Sequence, residues 1–338
     1  MKNILVVNVN WIGDVIFSTP IFKALKKAYP QAKIACLSPP RVREILESIP
    51  DLDEIIIYDE QGTHKNPFGK LKLINELRHC KFDIAFLLHR SLTRALLVFL
   101  AGIPKRVGYD TKGRGFLLTH KVKLLNQRAH RSDYYINVIE SFGIKIEDRT
   151  CELAVSKNEN IFVQEILRKH NISDSDFLVV VNPGGNWDLK RWPRDNFIGL
   201  IERLTKEFNA KVIIPGAEKD HPLADYISEN VKGAKPVVLT GETNLKQLTA
   251  LLQKAKLLIS ADSGPLHLAN CVGLDVIGLF GPTRPEVTSP RGAGRVVVIQ
   301  HDVGCNRVPC YNLGCPDNVC MKSIKIEDVL DEIKRLKN

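Results

Sequence analysis

Four short stretches of this chain place reactive side chains where an apolar run ends and a helical pattern begins. NWIGDVIFSTP carries Asp14, and NPGGNWDLKRWP carries paired glycines and Lys190. PGAEKD carries Glu218, and SADSGPLHLANCVG carries Asp262 and His267. Parallel α/β sheets bind ligands at the carboxyl ends of their strands, so this shared position indicates a functional site.

Asp14 allows two interpretations. As the cap of the first helix it would stabilise that helix by roughly 1 kcal/mol. As a general base it would take a proton from the hydroxyl group of an acceptor. The residue types and their spacing leave both interpretations open.

The second and third stretches have the composition of a phosphate and ribose site. Gly184 and Gly185 expose backbone N–H groups, and a helix that begins near Pro193 would point its positive end at an anion. Lys190 adds a positive charge, and Glu218 could accept hydrogen bonds from ribose hydroxyls. The glycine loop does not match a Walker sequence, so it could also be an ordinary strand-to-helix loop. Glu218, taken alone, could also be an ordinary surface residue.

The fourth stretch has the pattern of a helix start. Asp262 ends an apolar run, Ser263 and Gly264 form a turn, and Pro265 occupies the first helical turn. His267 lies one turn further on, where a lone histidine is more often a core residue. Clustered at a helix N-terminus, these side chains could also form a diphosphate and sugar pocket.

Composition and charge narrow the class of protein. The chain has 338 residues, 44% of them hydrophobic, which predicts two domains with packed cores. Its net charge is +10, and residues 1–160 hold most of the excess, with 25 Lys and Arg against 17 Asp and Glu. An anionic partner of the first half is therefore expected. Nucleic acid is disfavoured because no nucleic-acid motif accompanies the charge, whereas a phosphorylated glycolipid or an anionic membrane surface fits it.

Neither a signal peptide nor a membrane span is predicted. Polar residues interrupt the first apolar run, and no run approaches the roughly 20 residues that a bilayer requires. The most apolar segment, ALLVFLAGI at 95–103, is interpreted as a buried helix. We expect a cytoplasmic protein that contacts a membrane surface.

Four of the eight cysteines are evenly spaced in CNRVPCYNLGCPDNVC. They are Cys305, Cys310, Cys315 and Cys320. Four thiolates suit structural zinc, but the four-residue spacers are looser than paired CxxC motifs. The default interpretation is reduced or redox-active loop thiols, with no bound metal.

Strand and helix patterns alternate along the chain and restart after Asn171. This alternation predicts two Rossmann-like, doubly wound α/β domains that face a central cleft. The predicted boundaries are an acceptor-binding domain at 1–160, a linker region at 161–175, and a nucleotide-sugar-binding domain with a terminal helix at 176–338. GxGxxG is missing after both first strands, which disfavours a dehydrogenase.

Taken together, the motifs resemble the lipopolysaccharide heptosyltransferases of glycosyltransferase family 9, most closely the heptosyltransferase II-like members. The resemblance rests on five stretches in order: NWIGDVIFSTP, RVGYDTKGRGFLLTH, NPGG…KRWP, PGAEKD and ADSGPLHLANCVGLDVIGLFGPT. It implies the GT-B fold. It also implies inverting, metal-independent transfer of heptose from ADP-heptose to the phosphorylated lipid A–inner core of lipopolysaccharide, with no cofactor.

The resemblance further implies roles for single residues. Asp14 matches the family's general base, and Lys190 matches the lysine that contacts the donor phosphates. Glu218 matches the carboxylate that contacts the ribose, and Asp262 matches the carboxylate that contacts heptose. The full donor-binding set is Gly184, Gly185, Asn186, Lys190, Glu218, Asp262, Ser263, Gly264, Pro265 and His267. The candidates for contact with the acceptor are Arg90, Arg94, Arg114, Arg128 and Arg131.

Two alternatives stay open at this stage. The first keeps the fold and the transfer but changes the donor sugar or the acceptor. The second is a non-catalytic GT-B module that binds a nucleotide-sugar or a glycolipid. The presence of Asp14 in the same chain as Lys190 and Asp262 argues against a pure binding module, which has little need of a base. The sequence does not indicate an oligomeric state.

Overall fold

The computed structural model describes residues 1–126, 128–310, 312 and 314–337. The chain forms two compact units, the first from Met1 to Ala154 and the second from Val155 onward. Each unit is built on a six-stranded, fully parallel sheet. The prediction of two doubly wound α/β domains is therefore confirmed.

The first unit begins with a strand and alternates strands with helices. Its strands are β1 (Asn3–Val7), β2 (Lys33–Ser38), β3 (Glu54–Ile57), β4 (Ile84–Leu87), β5 (Lys105–Tyr109) and β6 (His120–Val122). Its helices are α1 (Ile12–Phe17), α2 (Thr19–Ala28), α3 (Arg43–Leu46), α4 (Pro67–His79), α5 (Leu92–Leu100) and α6 (Arg131–Glu140), with 3-10 turns at Pro40–Val42 and Gly115–Leu117.

The second unit repeats this plan. Its strands are β7 (Phe177–Asn182), β8 (Ala210–Gly216), β9 (Val237–Thr240), β10 (Leu257–Ala261), β11 (Val276–Leu279) and β12 (Val296–Ile299). Its helices are α7 (Lys157–Lys169), α8 (Arg194–Phe208), α9 (His221–Asn230), α10 (Leu245–Lys254), α11 (Gly264–Cys271), α12 (Pro285–Thr288), α13 (Val319–Lys322) and α14 (Ile326–Lys337). Two 3-10 turns lie at Asp188–Lys190 and Glu218–Asp220.

The strand order creates one switch point in each sheet. The first sheet runs β3-β2-β1-β4-β5-β6, and the second runs β12-β11-β10-β7-β8-β9. The chain leaves β1 in one direction and returns to β4 on its other side, and β7 and β10 are related in the same way. Loops at the carboxyl ends of such strand pairs diverge and leave a crevice, where ligands bind in doubly wound sheets.

The central strands form because their sequences are uninterrupted apolar runs. Ile4–Val7 are wholly buried, as expected for parallel strands that helices cover on both faces. The helical segment after β1 is divided at Ser18 into α1 and α2. The hydroxyl and the backbone N–H of Ser18 both donate to the Val15 carbonyl, and Pro20 lies in the first turn of α2.

The segment at 161–175 contains most of α7, which belongs to the second unit and packs against α10. Lys246 on α10 pairs with Glu159 on α7 at 3.7 Å. Over the described residues, no helix combines the length and the apolar character needed to cross a membrane.

Candidate functional site

Asp14 lies in the first turn of α1 but does not cap that helix. The N-cap residue is Trp11, whose side chain makes no capping hydrogen bond. The carboxylate of Asp14 is half-buried, and its Oδ1 accepts a hydrogen bond from the hydroxyl of Tyr135 at 2.8 Å. The structure thus supports the interpretation of Asp14 as an oriented carboxylate at the carboxyl end of β1, and not as a helix cap.

Tyr135 is the partner that sequence reasoning missed. Burial raises the pKa of the Tyr135 phenol well above its ordinary value, and the neighbouring Asp14 carboxylate raises it further, so the hydroxyl stays protonated and donates. One turn earlier on α6, the Ser132 hydroxyl donates to the Phe17 carbonyl at 3.0 Å. Two hydrogen bonds from α6 therefore hold both ends of α1.

The loop that precedes α1 is braced by Arg94. This arginine, on α5, is fully buried. Its guanidinium donates to the Asn8 carbonyl and to Oδ1 of Asn10, each at 2.7 Å, and lies 3.4 Å from a carboxylate oxygen of Glu60. Because a buried charge is stable only when it is well hydrogen-bonded, this network holds the β1–α1 loop in one conformation.

The five arginines proposed for acceptor contact separate into two groups. Arg94 and Arg114 are fully buried, and burial lowers the pKa of Arg114 to about 10. Arg114 donates to the carbonyls of Tyr109 and His89, so these two arginines brace loops rather than present charge to solvent. Arginine is rarely buried unless it is paired, so the burial of both residues depends on these tertiary contacts.

The other three arginines keep access to solvent. Arg90 and Arg128 are exposed, and Arg131 is half-buried at the start of α6. The Arg90 guanidinium lies over the ring of Tyr134, 5.6 Å from its centroid. Burial raises the pKa of Tyr134, and the charges of Arg90 and Arg131 act against that rise. Contact of these three residues with an acceptor remains a prediction.

His89, just beyond the carboxyl end of β4, shows how positive this edge of the sheet is. Its pKa is lowered to about 3, first by burial and then by the charges of Arg94, Arg114 and other cations nearby. The imidazole is therefore neutral at physiological pH. A positive potential of this kind at a switch point attracts anionic groups such as phosphate or carboxylate.

In the second unit, the paired strands β7 and β10 bring Lys190 and Asp262 together. Nζ of Lys190 lies 2.8 Å from Oδ2 of Asp262 and 3.2 Å from its carbonyl oxygen. Oδ1 of Asp262 lies 3.5 Å from Nε2 of His267, and Oδ2 accepts from the Thr288 hydroxyl at 3.3 Å. Thr288 was not singled out from the sequence, because it follows Asp262 by 26 residues.

These partners determine the charge of Asp262. Burial alone would raise its pKa, but the hydrogen bond from His267 and the charge of Lys190 together hold the pKa far below its ordinary value. The carboxylate is therefore ionised at neutral pH. Lys190 remains partly exposed, so its ammonium group can interact with a ligand while it stays paired with Asp262.

The start of α11 follows directly on β10 and is fixed by polar side chains of the neighbouring strands. Ser263 is the N-cap but its side chain makes no capping bond, and Pro265 stands in the first turn after Gly264. Asn182, at the end of β7, instead holds the hydroxyls of Ser260 and Ser263 at 2.9 and 3.3 Å. The Leu266 N–H donates to the Ser263 carbonyl at 3.1 Å and Pro265 has no N–H, so the Gly264 N–H and the positive end of the helix dipole are what a phosphate could meet here.

The glycine loop after β7 packs against the turn that carries Glu218. A Cβ atom at Gly184 would lie 3.0 Å from the carboxylate of Asp220, so glycine permits this close approach. Lys219 donates to the side chain of Asn186 on the same loop. Glu218 is exposed at the carboxyl end of β8. The structure thus brings the predicted donor residues of β7, β8 and β10 to one edge of the second sheet.

The cysteine stretch lies after β12. The backbone N–H of Cys310 donates to the Pro282 carbonyl at 2.8 Å. Within the described ranges, no three or more His, Cys, Asp or Glu side chains are grouped so as to hold a metal ion. Residues 311 and 313 of this stretch lie outside those ranges.

Two Rossmann-like domains with polar switch-point sites are the architecture of a GT-B glycosyltransferase, which confirms the predicted fold class. The chain belongs to glycosyltransferase family 9, the heptosyltransferase family, whose model matches residues 70–315. The predicted family membership and glycosyltransferase class are thereby confirmed.

Named relatives give the same result. Lipopolysaccharide heptosyltransferase 2 of Escherichia coli K12 is 29% identical over 303 residues, which is 85% of each chain. Among solved structures, the family 9 glycosyl transferase of Veillonella parvula superimposes with a TM-score of 0.88 at 26% identity, covering 99% of this chain and 97% of that one. E. coli ADP-heptose lipopolysaccharide heptosyltransferase II superimposes with a TM-score of 0.81 at 27% identity, and the match covers 99% of this chain and 98% of that one.

Proposed function

We propose that this protein transfers heptose from ADP-heptose to the inner core of lipopolysaccharide, with inversion at the anomeric carbon and without a metal ion. The observation that carries the proposal is the Lys190–Asp262 pair beside the N-terminus of α11, in a chain of the heptosyltransferase family. The relatives named heptosyltransferase 2 support the choice of sugar and acceptor.

The second unit would bind the donor. The backbone N–H of Gly264 and the positive end of the α11 dipole, together with Lys190, suit a diphosphate. Asp262 is ionised and held by its partners, so it can accept hydrogen bonds from sugar hydroxyls. Glu218 is exposed on the neighbouring turn and could accept from the ribose.

The chemical step would be a single displacement. Asp14 takes the proton of the acceptor hydroxyl, and that oxygen bonds to the anomeric carbon as the bond from this carbon to the diphosphate oxygen breaks. The electron pair leaves with ADP. Lys190 and the N-terminus of α11 stabilise the charge that develops on the diphosphate, which is the work that a metal ion does in other transferases.

The distribution of charge supports a proposal for the acceptor and the location. The first unit carries most of the basic excess of the chain, and the inner core and lipid A are phosphorylated. We infer that Arg90, Arg128 and Arg131 contact anionic groups of the acceptor. The protein would work in the cytoplasm, in peripheral contact with the inner membrane, where its acceptor is anchored.

The purified protein should be incubated with a panel of nucleotide-sugars and deacylated core acceptors, and the products read by mass spectrometry. We expect a mass gain of one heptose with ADP-heptose and none with UDP- or GDP-sugars. EDTA should leave the rate within about twofold if no metal takes part. Transfer from another donor, or binding of ADP-heptose with no transfer, would contradict the proposal.

Replacing Tyr135 by Phe should lower kcat by about tenfold, since one hydrogen bond to a charged group that orients the base is lost. KM for ADP-heptose should stay unchanged, because the donor would bind to the other unit. In an Asp14→Asn background the Tyr135→Phe change should have no further effect on kcat, because the two residues act as one group.

Tyr109→Phe is a matched control for this variant. Tyr109 is also buried, and its hydroxyl donates to the Tyr134 carbonyl at 2.6 Å rather than to Asp14. It should lower thermal stability with little change in kcat. Equal losses of kcat in the two variants would assign Tyr135 a purely structural part.

A further inference from the structure

Helix α5 is apolar on both of its faces. Ala95, Leu97 and Val98 pack into the core of the first unit. The opposite side carries Leu92, Leu96, Phe99 and Leu100, each of which exposes 42 to 44% of its surface. We call these four residues the apolar stripe. The expectation that this segment is simply buried is wrong for half of the helix.

The spacing shows that the apolar stripe is one continuous surface. Positions i, i+4, i+7 and i+8 lie on the same side of an α-helix. A helix that is apolar all round is normally covered on all sides, and a surface helix of a domain normally carries polar residues outward. Outward apolar residues in a row therefore mark a contact surface.

Neighbouring elements extend this surface. Helix α4 packs beside α5 and exposes Phe68, at 84%, together with Leu71. The 3-10 turn Gly115–Leu117 also contacts α5 and exposes Phe116 at 75%. Three separate elements thus contribute outward aromatic or leucine side chains to one side of the first unit.

The positive charge of the chain is concentrated in the same elements. Residues 65–124 contain 13 Lys and Arg and three Asp and Glu, a net charge of +10. The rest of the first unit, 1–64 and 125–154, contains 11 Lys and Arg and 13 Asp and Glu. The basic excess of the first unit therefore comes wholly from the segment that forms the apolar surface.

Two cations touch the apolar stripe directly. The guanidinium of Arg78 donates to the Leu100 carbonyl at 2.9 Å, and the guanidinium of Arg106 lies 5.1 Å from the ring centroid of Phe99. Leucine and phenylalanine flanked by arginine and lysine is the composition of helices that lie in the interface of an anionic bilayer.

We propose that the apolar stripe, with Phe68, Leu71 and Phe116, seats the first unit on an anionic lipid bilayer. The choice of partner rests on the proposed function, in which the acceptor is anchored in a membrane. A second copy of the chain fits less well, because pairing would bring together two strongly basic segments, each with a net charge of +10 over residues 65–124.

The position of the stripe connects this contact to catalysis. Leu92 starts α5 at the carboxyl edge of the sheet, and Arg94 in the same turn holds the loop that leads to Asp14. Seating α5 on the bilayer would bring this edge of the sheet to the surface from which the acceptor projects.

The test is co-sedimentation of the full chain with vesicles of phosphatidylcholine alone or with 30% phosphatidylglycerol, at low and high salt. We expect binding to the anionic vesicles at least tenfold tighter than to the neutral ones, and weaker at high salt. The double variant Leu96→Ser/Phe99→Ser should lose at least tenfold in this binding. Both positions are exposed, and unchanged thermal unfolding would show that the fold is kept.

Ile161→Ser is the matched control, because Ile161 is an exposed apolar residue on α7 of the second unit. It should bind vesicles as the wild type does. Transfer to a soluble, deacylated acceptor should be unchanged in the double variant, which separates this inference from the proposed function. Equal vesicle binding by wild type and double variant, or self-association that the double variant removes without any vesicle binding, would overturn the inference.

Discussion

Asp14→Asn should reduce the rate of heptose transfer by about a thousandfold, within the range by which general bases accelerate proton transfer. The asparagine amide oxygen can still accept the hydrogen bond that the Tyr135 hydroxyl gives to Asp14 at 2.8 Å, so the local geometry should be kept. Affinity for ADP-heptose should stay within a few-fold of wild type. Single-turnover kinetics and a donor-binding titration measure the two quantities separately.

Glu159→Gln serves as the control for this variant. Glu159 is another half-buried carboxylate in the first turn of a helix, but it pairs with Lys246 in the second unit. Its amide variant should transfer heptose at nearly the wild-type rate. Undiminished transfer by Asp14→Asn would reject Asp14 as the base.

Lys190→Met should have the second largest effect, a loss of about 100- to 1,000-fold in kcat/KM, because it removes a charge aimed at the leaving diphosphate. The donor should also bind more weakly, since the ammonium would contact the diphosphate before and during the reaction. Lys190→Arg should recover part of the activity, because it keeps the charge but changes its geometry.

The same variant should also destabilise the fold, by about 1 to 3 kcal/mol, because Asp262 would remain buried without its nearest cation. The double variant Lys190→Met/Asp262→Asn should regain stability, since no unpaired charge is left, while transfer stays low. If transfer recovered together with stability, Lys190 would be structural and its part in the reaction would be refuted.

The stability difference between wild type and Lys190→Met should depend on pH. The pKa of Asp262 is lowered in the folded protein, so its contribution is fully present above the ordinary aspartate pKa of about 3.9. That contribution is lost as the pH falls towards the pKa that Asp262 has in the folded protein. The difference in unfolding free energy should therefore be constant near neutrality and shrink below about pH 4.

The places of several candidate site residues in the fold could be predicted from the sequence because the signal is local. An apolar run followed by glycine, proline and a carboxylate identifies the carboxyl end of a buried parallel strand. Four candidate residues lie just beyond such an end: Asp14, Lys190, Glu218 and Asp262. Strand alternation then indicates that these ends share an edge of a sheet. No distant contact is needed for either step.

Other features could not be predicted because they depend on residues far apart in the chain. Tyr135 donates a hydrogen bond to Asp14, although the two residues are 121 positions apart in the sequence. It lies on a helix whose sequence, SDYYINVIE, has only a weak apolar pattern. Arg94 and Arg114 were among the candidates for contact with the acceptor, and both are buried. Carbonyl groups from several loops surround them and make their burial possible.

By itself, the sequence determined the alternation of strands and helices, the two-domain α/β fold class and the family, because periodicity and short motifs depend on neighbouring residues. Only the tertiary structure decided which carboxylates have partners, which arginines are buried, and which side of α5 is left uncovered. Those properties depend on what packs against a side chain, and the residues that pack there come from distant parts of the chain.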